Sequence, residues 1–190
     1  MNHPKDVESA LCVYFNKIRS AEDVPYPKSA DPALLAQIQN GQFVIPRNIV
    51  PDTAGFESEN GFRLPEALLA YFRSYHPCVM GQHPKNPHKK ECLILHASVS
   101  HDALNALRRD MMYWAEFDTD FRYLPIGFIA CTGAFVALER ATGRIWVEYP
   151  FADDPANDEE GRLWPEPIAE SLAELIAELD PYPAKKGDHG

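Results

Sequence analysis

Between Leu124 and Tyr149 the chain reads LPIGFIACTGAFVALERATGRIWVEY, three apolar runs in succession with turn residues between them. Residues 126–131, 134–139 and 144–149 are each of strand length, separated by Thr132-Gly133 and by the four residues 140–143, and this predicts a β-meander. Gly143 supplies the positive φ that the second connection needs. In the third run Ile145, Val147 and Tyr149 alternate with Arg144, Trp146 and Glu148, so one face is apolar and the other mixed. No residue of the meander has to be a catalyst, and it reads as a scaffold.

Helical periodicity frames it on both sides. Val7, Leu11, Tyr14, Phe15 and Ile18 predict an amphipathic helix over 6–20, with Asp6 at the positive end of its dipole. Pro25 and Pro27 make an irregular connection, and Asp31-Pro32 then gives an N-cap and a first-position proline for a helix over 32–39. Gly41 ends that helix, residues 42–45 suit a strand before Pro46 and Pro51, and the rest up to Gly61 reads as a surface loop. Leu64-Pro65-Glu66 opens a further helix with Leu68, Leu69, Phe72 and Tyr75 or His76 as its buried stripe, stopped by Pro77. A polar passage, GQHPKNPHKKE, leads to a short apolar strand over 92–97. Ser100 then caps a helix carrying Leu104, Leu107, Met111 and Trp114 on one side. The last helix places Ile168, Leu172, Leu175, Ile176 and Leu179 on one face and Glu166, Glu170, Glu174 and Glu178 on the other, until Pro181 and Pro183 stop it.

The pattern thus predicts an α+β fold, in which a central antiparallel sheet, the meander 124–149 plus the strand near 92–97, is covered by helices. A chain of 190 residues suits one sizeable domain. Residues 1–60 read as a helical extension packed on a domain spanning 61–180, and 181–190 as a disordered tail. The first twenty residues lack a basic stretch followed by a long apolar run, and no apolar run approaches the roughly 20 residues that span a bilayer. The expectation is a cytoplasmic protein with no stable membrane insertion. Cys12, Cys78, Cys92 and Cys131 are scattered, mostly in or beside apolar runs, which suits reduced thiols rather than a disulfide framework.

Charge changes the picture more than composition does. A net charge of −10 disfavours nucleic acid as a partner, because such binding is mostly phosphate neutralisation by Lys and Arg. Acids and bases nearly cancel up to Arg109, whereas from Asp110 to Asp180 the only bases are Arg122, Arg140, Arg144 and Arg162. The excess therefore belongs to the meander and its flanks, where it either keeps the protein soluble or steers a basic partner.

In order, the pieces are a helix beginning LPEALLAYF, the strand ECLIL, the helix DALNALRRDMMYWAEF, the meander phrase LPIGFIACTG, a polar turn ending in Gly143, an aspartate-containing loop, and a terminal helix introduced by Trp164 in WPEPIAESLAELIAEL. This arrangement, over about residues 61–180, resembles the SUKH superfamily, which includes yeast cell-wall synthesis regulators, the translocon-interacting protein Syd and many bacterial toxin-immunity proteins. The resemblance implies an α+β fold with a central antiparallel sheet, and a binding protein rather than an enzyme.

Cys78, His83, His88 and Cys92 offer two thiolates and two imidazoles, but without a CxxC pair and at spacings that match no tight zinc template, so no metal or other cofactor is expected. There is neither a GxSxG nucleophile turn nor a glycine-rich phosphate loop, and the clustered acids suit solvated loops better than a glycosidase pair. A partner-binding surface fits better. The acids Glu116, Asp118 and Asp120 precede the meander, and Asp153, Asp154, Asp158, Glu159 and Glu160 follow it, with Tyr123, Trp146, Phe151 and Trp164 among them. Aromatics inside a charged rim are typical interface anchors; the alternative for Trp146 and Trp164 is packing under the terminal helix. The function expected from pattern and resemblance together is an immunity protein that binds and neutralises a cognate, basic toxin, for which a nuclease would suit. The alternatives are a Syd-like adaptor on basic cytosolic loops of a translocon, and a hydrolase or metal-dependent enzyme. Nothing in the sequence fixes the oligomeric state.

Overall fold

The computed structural model describes residues 6–18, 32–46, 52–88, 91–96, 104–149 and 162–181. Their helices are α1 (Val7–Asn16), α2 (Pro32–Gln39), α3 (Thr53–Asn60), α4 (Glu66–Phe72), α5 (Asn105–Trp114) and α6 (Leu172–Glu178). Their strands are β1 (Ile45–Pro46), β2 (Ser74–Tyr75), β3 (Met80–Gln82), β4 (Leu93–Leu95), β5 (Tyr123–Ile129), β6 (Phe135–Glu139), β7 (Ile145–Val147) and β8 (Asp180–Pro181). A six-stranded sheet runs in the order β7-β6-β5-β4-β3-β8, and β1 pairs with β2 apart from it; all of these pairs are antiparallel. The fold is α+β, as the pattern predicts.

The meander is β5, β6 and β7. Leu124 lies opposite Leu138, Leu138 opposite Ile145, and Val136 opposite Val147, so one face of the three strands is a continuous apolar ladder. All five residues are buried in the main core. The turns carry left-handed residues at Cys131 (φ 68°), Gly133 (φ 72°) and Gly143 (φ 77°), the last where the sequence asks for one. Alternation puts Tyr123, Ala137, Glu139 and Trp146 on the opposite face, with Tyr123 across from Glu139 and Ala137 across from Trp146. On the other side of β5, Gly127 sits at a register shift opposite Leu95, and a Cβ there would stand 2.3 Å from the Ile94 carbonyl oxygen.

Residues of α1, α4 and α6 join the apolar face in one core. α1 packs on α6 and α4, and α5 packs on β5. Tyr14 fastens α1 to β3: its hydroxyl donates to the Met80 carbonyl at 2.6 Å and accepts from the Met80 N–H at 3.0 Å. Burial pushes the phenol pKa up to about 12. Lys17 donates to the Ala177 and Leu179 carbonyls at 2.7 and 2.8 Å, satisfying the open end of α6 with a cation.

The structure departs from the pattern in several places. The stretch read as loop before Gly61 contains α3, capped by the Asp52 carboxylate on Gly55 N–H (2.8 Å) and closed by left-handed Gly61; with only Phe56 buried, it leaves no apolar stripe to find. The strand expected over 42–45 is the two residues of β1. The helix beginning at Pro65 ends at Phe72, so Tyr75 belongs to β2 rather than to a helical stripe, although it is buried as expected. The polar passage opens with β3, a strand buried at Gly81, where Asp180 and Pro181 of β8 approach too closely for a side chain. The terminal helix is shorter than its apolar period, because Ser171 caps it with its hydroxyl on Glu174 N–H at 3.1 Å. Ile168 and Ala169 instead pair with Ile145 at the edge of β7. Pro181, expected to open a disordered tail, is paired in β8, and Ser100 and residues 182–190 lie outside the described residues.

Candidate functional site

The mixed face of the meander opens into a cleft of about 390 Å³. One wall is Tyr123 and Trp146 from the sheet; another is the segment 162–165, which runs along β7 through Tyr149 N–H to Arg162 O (2.6 Å) and Trp164 N–H to Val147 O (2.8 Å). The end of α5 and the turn after it supply Trp114, Phe117 and Asp118. Trp114 meets Phe135 edge-on at 5.5 Å, Tyr123 meets Trp146 at 6.1 Å, and Trp164 stacks on Tyr149 at 5.4 Å.

Two arginines are built into these aromatics. The Arg162 guanidinium lies 3.3 Å from the Phe117 ring centroid and 5.5 Å from that of Trp114, and it pairs with Glu148. Glu148 is buried, and its second oxygen accepts the Phe135 N–H at 2.9 Å, while its carbonyl accepts from His88 Nε2 at 3.0 Å. Arg122 covers Tyr123 at 5.0 Å and pairs with Glu139 at 3.0 Å. Burial pushes the Glu139 carboxyl up, but hydrogen bonds from Thr142 and Arg122, the Arg122 charge and the nearby Trp146 indole outweigh it and hold its pKa below the usual carboxylate value. Among the described residues the Trp146 Nε1 is buried without a hydrogen-bond partner, so the indole acts on Glu139 only as a neighbour.

The turn over 116–122 is held from within. Asp118 accepts the Tyr123 N–H at 2.7 Å and the Trp114 indole N–H at 3.4 Å. Arg140 donates to the Phe121 carbonyl and, at 2.8 Å, to that of Asp120, and its guanidinium stacks on Phe62 at 4.3 Å. This supports Phe121 in a left-handed conformation (φ 49°) and leaves the side chains of Glu116 and Asp120 exposed.

Of the residues singled out by sequence, Asp118, Tyr123, Trp146 and Trp164 come together in the cleft, and Glu116 and Asp120 stand on the turn beside it. Asp118 is chiefly a structural acceptor rather than a free charge. Phe151, Asp153, Asp154, Asp158, Glu159 and Glu160 lie outside the described residues. Trp114, Phe117, Arg122 and Arg162 are lining residues that the sequence did not mark; the two arginines stood out only as rare bases in an acidic half. The zinc candidates are dispersed in their bonding. His83 Nε2 is 3.1 Å from Glu178, His88 serves the Glu148 carbonyl, and the Cys92 thiol, buried, is pushed up to about 11. Burial also raises the Cys78 thiol, which opposes the thiolate a metal needs. Among the described residues no group of three or more His, Cys, Asp or Glu is placed to hold a metal ion, and no helix is long and apolar enough to cross a membrane.

Comparison with models of known protein families and with curated proteins finds no match for this chain.

Proposed function

We propose that this protein is a SUKH-like immunity protein of the cytoplasm, which binds a basic protein toxin and blocks it by occlusion rather than by chemistry. The observation that carries the reading is the convergence of Asp118, Tyr123, Trp146 and Trp164, from three separate stretches of chain, in one cleft beside the exposed acids Glu116 and Asp120. Such a cleft offers aromatic surface to an anchoring side chain, while the acidic flanks supply long-range attraction. Its arginines are each neutralised by a buried glutamate, so they brace the walls more than they repel a basic partner.

Co-expression with the toxin encoded beside this gene tests the proposal. A stable complex should co-purify. Replacing Asp153, Asp154 and Glu159 together by Lys should slow association about tenfold or more. Affinity and rate unmoved by the triple change would remove the acidic-surface reading, and the absence of any complex would remove the immunity reading.

A further inference from the structure

Three of the four large hydrophobic side chains that are strongly exposed among the described residues fall within six positions of one another: Met112 (76% exposed), Tyr113 (63%) and Phe117 (38%), the other being Val13. Single exposed apolar residues are ordinary, but a contiguous group ringed by charge marks an interaction surface. Phe117 and Asp118 N–H both reach back to Trp114 O, at 2.9 and 3.0 Å, so the helical winding of α5 continues into the turn. Met112, Tyr113, Glu116 and Phe117 therefore share one outward side.

This ridge stands between two hollows. Phe117 borders the aromatic cleft, and Met112 borders a second groove of about 300 Å³ formed with Glu59, Asn60 and Phe121. The charges around it are unequal in availability. Arg108 is tied to Glu59 (3.4 Å), Arg109 to Asp110 (2.7 Å), Arg122 to Glu139 (3.0 Å), and Arg140 to main-chain carbonyls. The carboxylates of Glu116 and Asp120 are exposed and enter no ion pair among the described residues.

We infer that the outward side of α5, Met112 and Tyr113 with Phe117 and the acids Glu116 and Asp120, docks a basic amphipathic segment of a protein partner. An anionic bilayer or a nucleic acid meets like charge there, and a second copy of this chain, itself at −10, brings the same carboxylates against one another. Apolar side chains of a basic segment fill the two hollows, the flexible Met112 adapts to them, and the segment's Lys or Arg residues meet Glu116 and Asp120. The inference rests on the reading of the protein as a binder of a basic partner, and names the surface that does it.

The test uses the full chain and a fluorescein-labelled synthetic helix of about 15 residues, with Leu at i, i+3, i+4 and i+7 and Lys elsewhere. Controls replace its Leu by Ser or its Lys by Glu. The wild-type chain should bind the Leu/Lys helix and neither control, and M112S/Y113S and E116K should each weaken binding about tenfold with an unchanged thermal midpoint. Phe117 stays in place because it covers Arg162. Failure of the wild type to bind the helix, or equal binding by the variants, overturns the inference. So does a lowered midpoint in M112S/Y113S, which makes the ridge a covered part of this chain, or a wild-type dimer that M112S/Y113S dissociates. If the neighbouring toxin co-purifies with wild type and M112S/Y113S alike, the ridge fails and the immunity reading stands. If the toxin does not co-purify but the helix binds at the ridge, the reverse holds.

Discussion

Glu148 shows how much one side chain can hold. Both of its oxygens are used, one by Phe135 N–H and one by Arg162, and its carbonyl takes His88. Arg162 is only 14% exposed at its side chain, so removing its counter-charge strands a guanidinium with little water to replace it. Glu148→Gln should cost about 3–5 kcal/mol in denaturant unfolding, and a cost under about 1 kcal/mol would mean that the pair does not fasten the wall of the cleft.

Histidine makes a second residue-scale statement. His83 Nδ1 accepts the Lys85 N–H at 3.3 Å, so its neutral ring donates through Nε2 to Glu178. His96 is buried with Nε2 3.3 Å from Asp110 and 3.2 Å from the Pro125 carbonyl. Burial lowers the pKa of both, against the raising effect of Glu178 and of Asp110. A folded value below the unfolded one, about 6.5, means that the unfolded chain binds more protons as the pH falls. The stabilisation is therefore complete above that value and is lost as pH drops through it toward the folded values. Thermal midpoints should decline as the pH falls below about 6.5, and His96→Gln should flatten part of that decline; an unaltered slope would show that His96 does not contribute.

At the scale of elements, caps and close approaches decided what periodicity did not. α2 stands where its proline start and Gly41 stop put it, and β6 and β7 fall within their apolar runs, but β5 begins three residues ahead of the run expected over 126–131 and ends at Ile129, leaving Cys131 in the turn. α3 and the start of α6 are set by Asp52 and Ser171, whose bonds to backbone N–H groups leave no trace in hydrophobic spacing; only a polar residue ahead of a helix-forming run signals them. β3 and β8 are too short for any period to register. The β4–β5 junction depends on an atom that is missing. Gly127→Ala should destabilise by about 1–3 kcal/mol, read from the denaturation midpoint, since its methyl falls on the Ile94 carbonyl across the sheet. A neutral result would show that β4 can shift away at no cost.

At the scale of the molecule, the charge is lopsided and the helices are not. α1 and α6 are about 160 residues apart in the chain and join one core with α4 and the sheet, so residues 7–16 stabilise the same body that carries the cleft. The acidic excess after Asp110 acts at a distance. If it steers a basic partner, the association rate should fall about tenfold or more as salt rises from about 0.05 to about 0.5 M, with the dissociation rate nearly constant. A flat association rate in stopped-flow mixing would confine the acids to solubility.

The α+β class, the meander, most of the core and the acidic bias can be read from the order of residues, because burial and turn chemistry are written locally, in which residues are apolar and where glycine falls. The same order marks Tyr123, Trp146 and Trp164 without saying whether they pack or line a surface. That they meet Trp114, Phe117 and Arg162 around one cleft, and that Met112 and Tyr113 face outward, emerges with folding, because those neighbours are brought together by strand register and helix docking rather than by proximity along the chain. The same register buried Glu148 and Glu139 as counter-charges to Arg162 and Arg122, a pairing that alternation along single strands cannot express.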